Sequence, residues 1–476
     1  MDLGLRRPYA SGMETPHQAA TFALSEFGSA DLGHASRTKR SVRVAMSLVQ
    51  NPAGSIPKVS EDSHQAKGTY RLLSNPEVDH DGLLSGHIAR TVERCSGRDV
   101  VLVVQDTTTL SYNERTTARG LGPVNDCAQS KGFLAHTALA LCPKTGDVLG
   151  VLDQQVWARE DRKVTEGESN VARKKRPRES QHWPKAQHRV HELFSTMTEA
   201  LRPRVVAVFD REGDIFEAFE TIHDLGHSLV VRAIRNRLLE GEDEDKRYSL
   251  DVVEQGPVKA HYQVSVPARP GRAARLAEMG IRALPVTLLP PRNRNRQGEP
   301  ITLNMVLASE PHPPEGSEPL CWYLVTREPI ETAPELLAIV QMYEMRWVIE
   351  ELHMGIKTGC STENRQLETK HALTNFLAFA TVIAWRMLCL RQASRAAEPK
   401  PASAILTPSQ LIVLCGLRPR LKADCSATEA FRAIAVLGGF MGRKGDGNPG
   451  WRTLWAGFEK ILMAERGYLL AKARFG

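Results

Sequence analysis

Two short runs, "VVLVV" at Val100–Val104 and "VVAVF" at Val205–Phe209, pass almost directly from unbroken apolar residues into an aspartate. Asp106 follows the first run after Gln105, and Asp210 follows the second. A strand with no polar alternation belongs inside a sheet covered on both faces, which sets the class as α/β. Read this way, both acids stand at strand ends, where such folds commonly place ligand-binding groups. Singly, each is ordinarily a turn-former or a helix cap.

A third acid comes from a different kind of segment. In "YEMRWVIEELHMGIK", Tyr343 is followed at +3, +7 and +14 by Arg346, Glu350 and Lys357. At about 3.6 residues per turn these return to nearly one face of a helix. The spacing predicts a helix over 343–357 bearing a phenol, a guanidinium, a carboxylate and an ammonium in line. Val340, Trp347, Ile349, Leu352 and Ile356 form the apolar face that anchors it. Such a stripe is ordinarily a solvated face with i,i+4 ion pairs; it gains chemical meaning only with Asp106 and Asp210. Three carboxylates cannot converge in a dry site without counter-charge. Mg²⁺ takes oxygen ligands, and two ions roughly 3.5–4 Å apart clamp the attacking and leaving oxygens of phosphoryl transfer.

Composition narrows the classes. The 476 residues suffice for a main domain and one or two smaller ones, and the net charge of +7 suits a polyanion without proving one. Eight scattered cysteines, with no CxxC or Cys/His spacing, predict reduced thiols in a cytoplasmic protein and no zinc site. No P-loop, HExxH or strand-linked GxGxxG is present, which removes support for ATP, zinc hydrolase and dinucleotide chemistry. The N-terminus lacks an apolar signal core. "FLAFATVIAWRMLCL" (Phe376–Leu390) holds Arg386 and is shorter than a membrane span, so it is expected to be a buried core helix.

Along the chain, residues 1–15 form an expected flexible extension, with Met13 as an alternative start. Residues 16–80 are helical and basic, with Arg37, Arg40 and Arg43 three apart. After the Asp106 strand, "FLAHTALALC" and "DVLGVLDQQVWA" flank the turn "PKTGD" and predict a hairpin, hence a three-stranded meander. A charged stretch from Arg159 to Gln187 contains "KKRPR", which is ordinarily surface loop. A helix is expected from about His188 to Leu201, then the Asp210 strand, then "SLVVRAIRN". Residues 236–331 alternate short strands with Pro, Gly and Arg-rich turns, a β-rich insertion. Thr332 and Glu335 form a capping box for the Glu350 helix. Beyond Gly359 the chain is helical, and Trp451, Leu454, Trp455 and Phe458 share a stripe whose ordinary role is core packing and whose functional role is a dimer contact.

These residues carry a family resemblance. The order strand-Asp106, hairpin, strand-Asp210, β insertion, helix-Glu350, with "QDTTTLSY", "FDREGDIF" and Tyr343-x2-Arg346-x3-Glu350-x6-Lys357, resembles the DDE transposases of the insertion-sequence-four family, of the Tn-five type. "TYRLLSNP", "WYLVTREP" and "LGGFM…W…LW" extend it from about residue 20 to the end. The resemblance implies a ribonuclease H-like catalytic core (81–235 and 332–395) with an inserted β-rich subdomain (236–331). A helical N-terminal DNA-end-binding domain (16–80) and a helical C-terminal dimerisation domain (396–476) flank it.

It further implies that Asp106, Asp210 and Glu350 are catalytic ligands of two Mg²⁺ ions, with Mn²⁺ substituting. Tyr343, Arg346 and Lys357 would grip phosphates, and Trp322 would stack on a base flipped from a hairpin intermediate. Trp347 and Arg232 would contact DNA, and Arg37, Arg40, Arg43, Tyr70 and Arg71 would meet the terminal inverted repeat. Trp451, Leu454, Trp455 and Phe458 would form the homodimer surface. Gly213, where relatives tend to carry alanine, is expected to loosen the turn after Asp210. The alternatives are a structure-selective nuclease such as a junction resolvase, which cuts without joining 3′ ends, and a DNA-binding repressor, which would be expected to lack one of the acids.

Overall fold

The computed structural model describes residues 18–112, 117–124, 127–160, 178–241, 247–266, 274–291, 298–394, 399–443 and 446–475. The expected extension at 1–15, Met13 and most of "KKRPR" lie outside them. The chain divides into two units.

One unit holds residues 1–90, 110–133 and 351–476. Its N-terminal helices are α1 (Gln18–Phe27), α2 (Ala35–Gln50), α3 (Ile56–Val59), α4 (Ser63–Leu73) and most of α5 (His80–Cys95). Asp62 caps α4 by accepting from the Gln65 N–H, the arrangement that satisfies a free donor at a helix start.

The other unit holds residues 91–109 and 134–350. Its sheet is built from β1 (Val100–Ser111), β3 (Cys127–Leu141), β4 (Val148–Trp157), β5 (Arg204–Phe209), β6 (Ser228–Arg232), β7 (Val258–Val266), β8 (Arg275–Leu288), β9 (Ile301–Ser309) and β10 (Cys321–Thr326); the short β2 (Gly122–Val124) and the first residues of β3, with which it pairs, fall in the first unit. The order is β2-β3-β1-β5-β6-β10-β9-β8-β7, and β4 lies on β3. β1, β5 and β6 are mutually parallel, as their unbroken apolar runs require. β3 and β4 form the expected antiparallel hairpin. The β-rich insertion continues the sheet, because β10 pairs antiparallel with β6. Helices α6 (His182–Ser195), α7 (Phe216–Asp224), α8 (Ser249–Gln255) and α9 (Ala333–Glu344) accompany these strands, and α10 (Trp347–Met354) follows. Val101, Val103 and Val205 pack with Ala186, Val190 and Phe194 of α6, while Phe209 and Val231 pack with Phe216 and Phe219 of α7.

Three expectations need correction. β1 continues to Ser111, so Asp106 lies within the strand; the β-branched Thr107–Thr109 sustain it. α6 starts at His182, six residues before the expected His188. The helix expected over 343–357 is in three pieces: α9 ends at Glu344, Met345 and Arg346 form a turn, α10 runs to Met354, and a π-helical turn spans Gly355–Gly359.

The remaining helices of the first unit are α11 (Lys370–Ser394), α12 (Pro408–Leu417), α13 (Ala427–Leu437) and α14 (Trp451–Phe475). α11 has 25 residues, longer than its apolar run suggested, and its apolar window is 94% buried in protein, as a core helix should be. Phe27 stacks on Phe379 at 5.0 Å, and the Asn375 amide donates to the Leu73 and Val78 carbonyls. Arg365 donates to the carbonyls of Pro52, Gly54 and Cys360 and lies 4.2 Å over Phe376. The C-terminal stripe is core: Trp451, Leu454, Trp455 and Phe458 are all at most 5% exposed. Leu454 packs on Phe431 and Ala435, Arg391 covers Trp451, and a Cβ at Gly359 would meet Trp455 at 1.9 Å. These four side chains are therefore taken up by their own chain, and the dimer surface assigned to them is corrected to internal packing.

Candidate active site

The parallel register between β1 and β5 runs from Val100↔Arg204 to Gln105↔Phe209. The next residue on each strand is an aspartate, so Asp106 and Asp210 emerge side by side at one end of the pair. Asp106 accepts a hydrogen bond from the Thr107 N–H at 2.8 Å. Asp210 also serves the ordinary purpose of a strand-end acid, capping the short turn 211–213 by accepting from the Glu212 N–H at 2.8 Å. Gly213 is the last residue of that turn. A Cβ there would lie 2.4 Å from the Phe209 Cβ, so the glycine permits a close approach.

The turn at Met345–Arg346 brings the third acid into relation with the first. Arg346 hydrogen-bonds Glu350 one turn along, and its Nη1 lies 3.8 Å from Asp106 Oδ2. The guanidinium and the Asp106 carboxylate are each 13% exposed, whereas Glu350 is 34% exposed. Burial, and after it the charge of Asp210, pushes the Asp106 carboxyl up to about 7; the Thr107 N–H and Arg346 oppose this, and Glu350 adds to it. Burial and the neighbouring carboxylates thus disfavour the Asp106 anion more than Arg346 favours it. Burial works against the charge on Arg346, but the Glu350 hydrogen bond and the charges of Tyr343, Glu350 and Asp106 outweigh it. The adjacent Glu351 is buried and ion-paired with Arg391 at 3.1 Å.

Tyr343 is buried at the end of α9, with Trp322 of β10 meeting its ring edge-on at 5.4 Å. Trp322 is half-buried, unlike a core residue of the insertion. Arg232, at the end of β6, donates to the Cys321 carbonyl at 3.3 Å. Trp347 is 59% exposed and so does not anchor the helix; Val340, Ile349, Leu352 and Ile356 do. Lys357 is half-buried in the π-helical turn, which belongs to the first unit.

The N-terminal arginines differ from one another. Arg37 donates to the Leu32 carbonyl at 3.0 Å and pairs with Glu77. The Arg40 guanidinium lies on α4, where a Cβ at Gly68 would meet it at 2.8 Å. Arg43, Tyr70 and Arg71 are exposed.

The sequence reading missed Asp214. This carboxylate, 1% exposed, accepts from the N–H groups of Ile234 and Arg235 at 2.8 Å each and pairs with Arg237. It holds the segment leaving β6 just beyond Arg232. Its signal was a second acid four residues after Asp210, in a motif where acids also make turns.

Residues 19–78 match the family model described as transposase DNA-binding, and residues 382–474 match the Tn5 transposase dimerisation domain. The chain is thus similar to transposases at its N-terminal end and to the Tn5 transposase at its C-terminal end. The first match spans α1 to α4, and the second begins inside α11 and runs through α14. Asp106, Asp210 and Glu350 fall between the two matched segments. Among solved structures, a piggyBac transposase synaptic complex with hairpin DNA aligns with 96% of this chain and 72% of its own, at 10% identity and a TM-score of 0.33. A likeness that loose carries no argument about fold or function.

Proposed function

We propose that this chain is a DNA transposase of the DDE class, with a ribonuclease H-like core, in the insertion-sequence-four family. It binds the terminal inverted repeats of an insertion sequence, excises the element through a hairpin intermediate and joins the 3′ ends to target DNA, as a homodimer in the cytoplasm. The supporting observation is the acid set: two aspartates adjacent in register, joined to Glu350 through Arg346. The chain order of strand, hairpin, strand, insertion and helix supports the same reading, as do the DNA-binding and dimerisation segments at either end.

Among the described residues, no three His, Cys, Asp or Glu side chains close around a point tightly enough to seat an ion. The donor chemistry nevertheless suits Mg²⁺: hard carboxylate oxygens, one of them disfavoured as an anion by burial and by its neighbouring carboxylates. Asp106, Asp210 and Glu350 would hold two Mg²⁺ ions, or Mn²⁺ in their place. When bound, the metal supplies Lewis acidity to an attacking water or 3′-hydroxyl and to the leaving oxygen.

The remaining work belongs to side chains. Arg346 balances Glu350 and Asp106 in the free protein and turns to a backbone phosphate when DNA arrives, with Tyr343 and Lys357 gripping neighbouring phosphates. Trp322 offers a face to an unstacked base, worth roughly 1–3 kcal/mol per base. Arg232 holds the strand beside it, Trp347 presents an exposed indole, and Arg37, Arg40, Arg43, Tyr70 and Arg71 meet the inverted repeat.

The test is a labelled duplex carrying the element end, incubated with Mg²⁺ and either the native protein or Asp106→Ala. Nicked, hairpin and joined products that vanish in the variant are expected. Cutting without joining would point to a hydrolytic nuclease, and specific binding without cutting to a repressor.

A further inference from the structure

Six polar side chains form a continuous hydrogen-bonded line through the core of the second unit. Thr107 Oγ1 lies 2.9 Å from His136 Nδ1, and His136 Nε2 lies 3.1 Å from Gln105 Oε1. Gln105 Nε2 donates to Gln187 Oε1 at 3.0 Å, and Gln187 Nε2 meets His227 Nδ1 at 2.6 Å. His227 Nε2 then lies 3.3 Å from His191 Nδ1. Gln105 and His136 have no exposed surface, Gln187 has 1% and His227 8%. Strands β1 and β3, helix α6 and the entry to β6 each contribute.

The two glutamines determine every direction in this line. Gln105 uses its NH₂ on Gln187, so its carbonyl accepts from His136, which makes Nε2 the protonated nitrogen of that ring. In the neutral ring, His136 Nδ1 then accepts from the Thr107 hydroxyl. Gln187 spends its carbonyl on Gln105, so its NH₂ donates to His227 Nδ1, and His227 Nε2–H donates onward to His191. With His136 and His227 as neutral rings, all five bonds run one way, from Thr107 outward. Burial also holds His227 down to about 4. Buried polar groups are costly unless each is paired, and here each bond of the line pairs two of them.

The line ends on the residue whose own N–H holds Asp106 Oδ1. With its hydroxyl hydrogen committed to His136, Thr107 has a fixed χ1 and a fixed backbone, and so does the donor facing the Asp106 carboxylate. We infer that His136 and Gln105 are positioning residues that set the orientation of the Asp106 carboxylate through Thr107. This inference rests on the reading of Asp106 as a metal ligand.

The test measures Mn²⁺ binding to the full chain by the electron paramagnetic resonance of free Mn²⁺, so that no catalytic turnover is needed. Thr107→Val and His136→Leu are expected to weaken binding about 5- to 10-fold while melting as single cooperative transitions. Thr107→Ser, which keeps the hydroxyl, should restore it. Combined, Thr107→Val and His136→Leu should cost little more than either alone, because both break the same line. In end cleavage, the half-saturating Mg²⁺ should rise in the same variants while the affinity for the DNA end stays unchanged. Variants that bind Mn²⁺ like the native protein, or a Thr107→Ser that fails to recover, would overturn the inference and leave the transposase reading standing. A native chain that binds no Mn²⁺ would remove Asp106 as a ligand and the inference with it. Should His136→Leu fail to fold, Thr107→Val and Thr107→Ser decide alone.

Discussion

The Arg346/Glu350 stripe beside the β1/β5 sheet end and the stripe on α14 were both marked by residues recurring on one face, yet they have opposite fates. At the sheet end, Asp106 is partly exposed and shares Arg346 with Glu350. On α14, Trp451, Leu454, Trp455 and Phe458 are buried against their own chain. Periodicity says which side chains share a face; what the face meets is decided by tertiary packing. Charge tips the balance, since carboxylates pay heavily to be buried and indoles gain from it.

The sharpest way to break the contrast is to remove one group from each place. Glu350→Ala should reduce end cleavage on the order of 1,000-fold or more, the scale of losing a principal electrostatic group, while gel-shift affinity for the end stays within about threefold. An equal collapse of binding would make Glu350 structural. Trp455→Ala should cost about 3–5 kcal/mol in urea unfolding, as large-to-small changes in a core do. An unchanged midpoint with lost self-association would return Trp455 to the dimer surface.

Asp106→Asn sharpens the electrostatic side. The folded Asp106 carboxyl sits near 7, above its unfolded value of about 3.9. The folded protein therefore prefers the protonated acid, a contribution fully present below about pH 4 and lost as pH rises through 7. Without metal, the variant should be more stable than the native chain at pH 8, on the order of a few kcal/mol, and equal to it near pH 4. Mg²⁺ at pH 8 should raise the melting temperature of the native chain and not of the variant. Trp347→Ala should have the smallest effect on folding, within about 0.5 kcal/mol for an exposed side chain, and should show itself only as weaker end binding. A larger loss in thermal melts would restore Trp347 as an anchor.

Much of this arrangement was legible before any coordinates. The runs Val100–Val104 and Val205–Phe209 announced parallel interior strands, "PKTGD" announced the hairpin, and Thr332 with Glu335 announced the start of α9, where both capping bonds form. Local chemistry sufficed for each. The break at Met345–Arg346 was hidden because its residues have ordinary helical preferences, and Arg346 leaves the helical path where it meets Glu350 and Asp106. The Thr107–His136–Gln105–Gln187 line was hidden for a different reason. Its members lie up to 82 positions apart, and a glutamine in sequence does not say which partner its amide will find.

The adjacency of Asp106 and Asp210 is a property of strand register, held by six residue pairs and by nothing local. A slip of one residue would send one carboxylate to the opposite face of the sheet. On the proposed reading, a chain whose β1 and β5 are out of register could not cut, so the ability to cleave DNA would be withheld until the sheet has formed correctly.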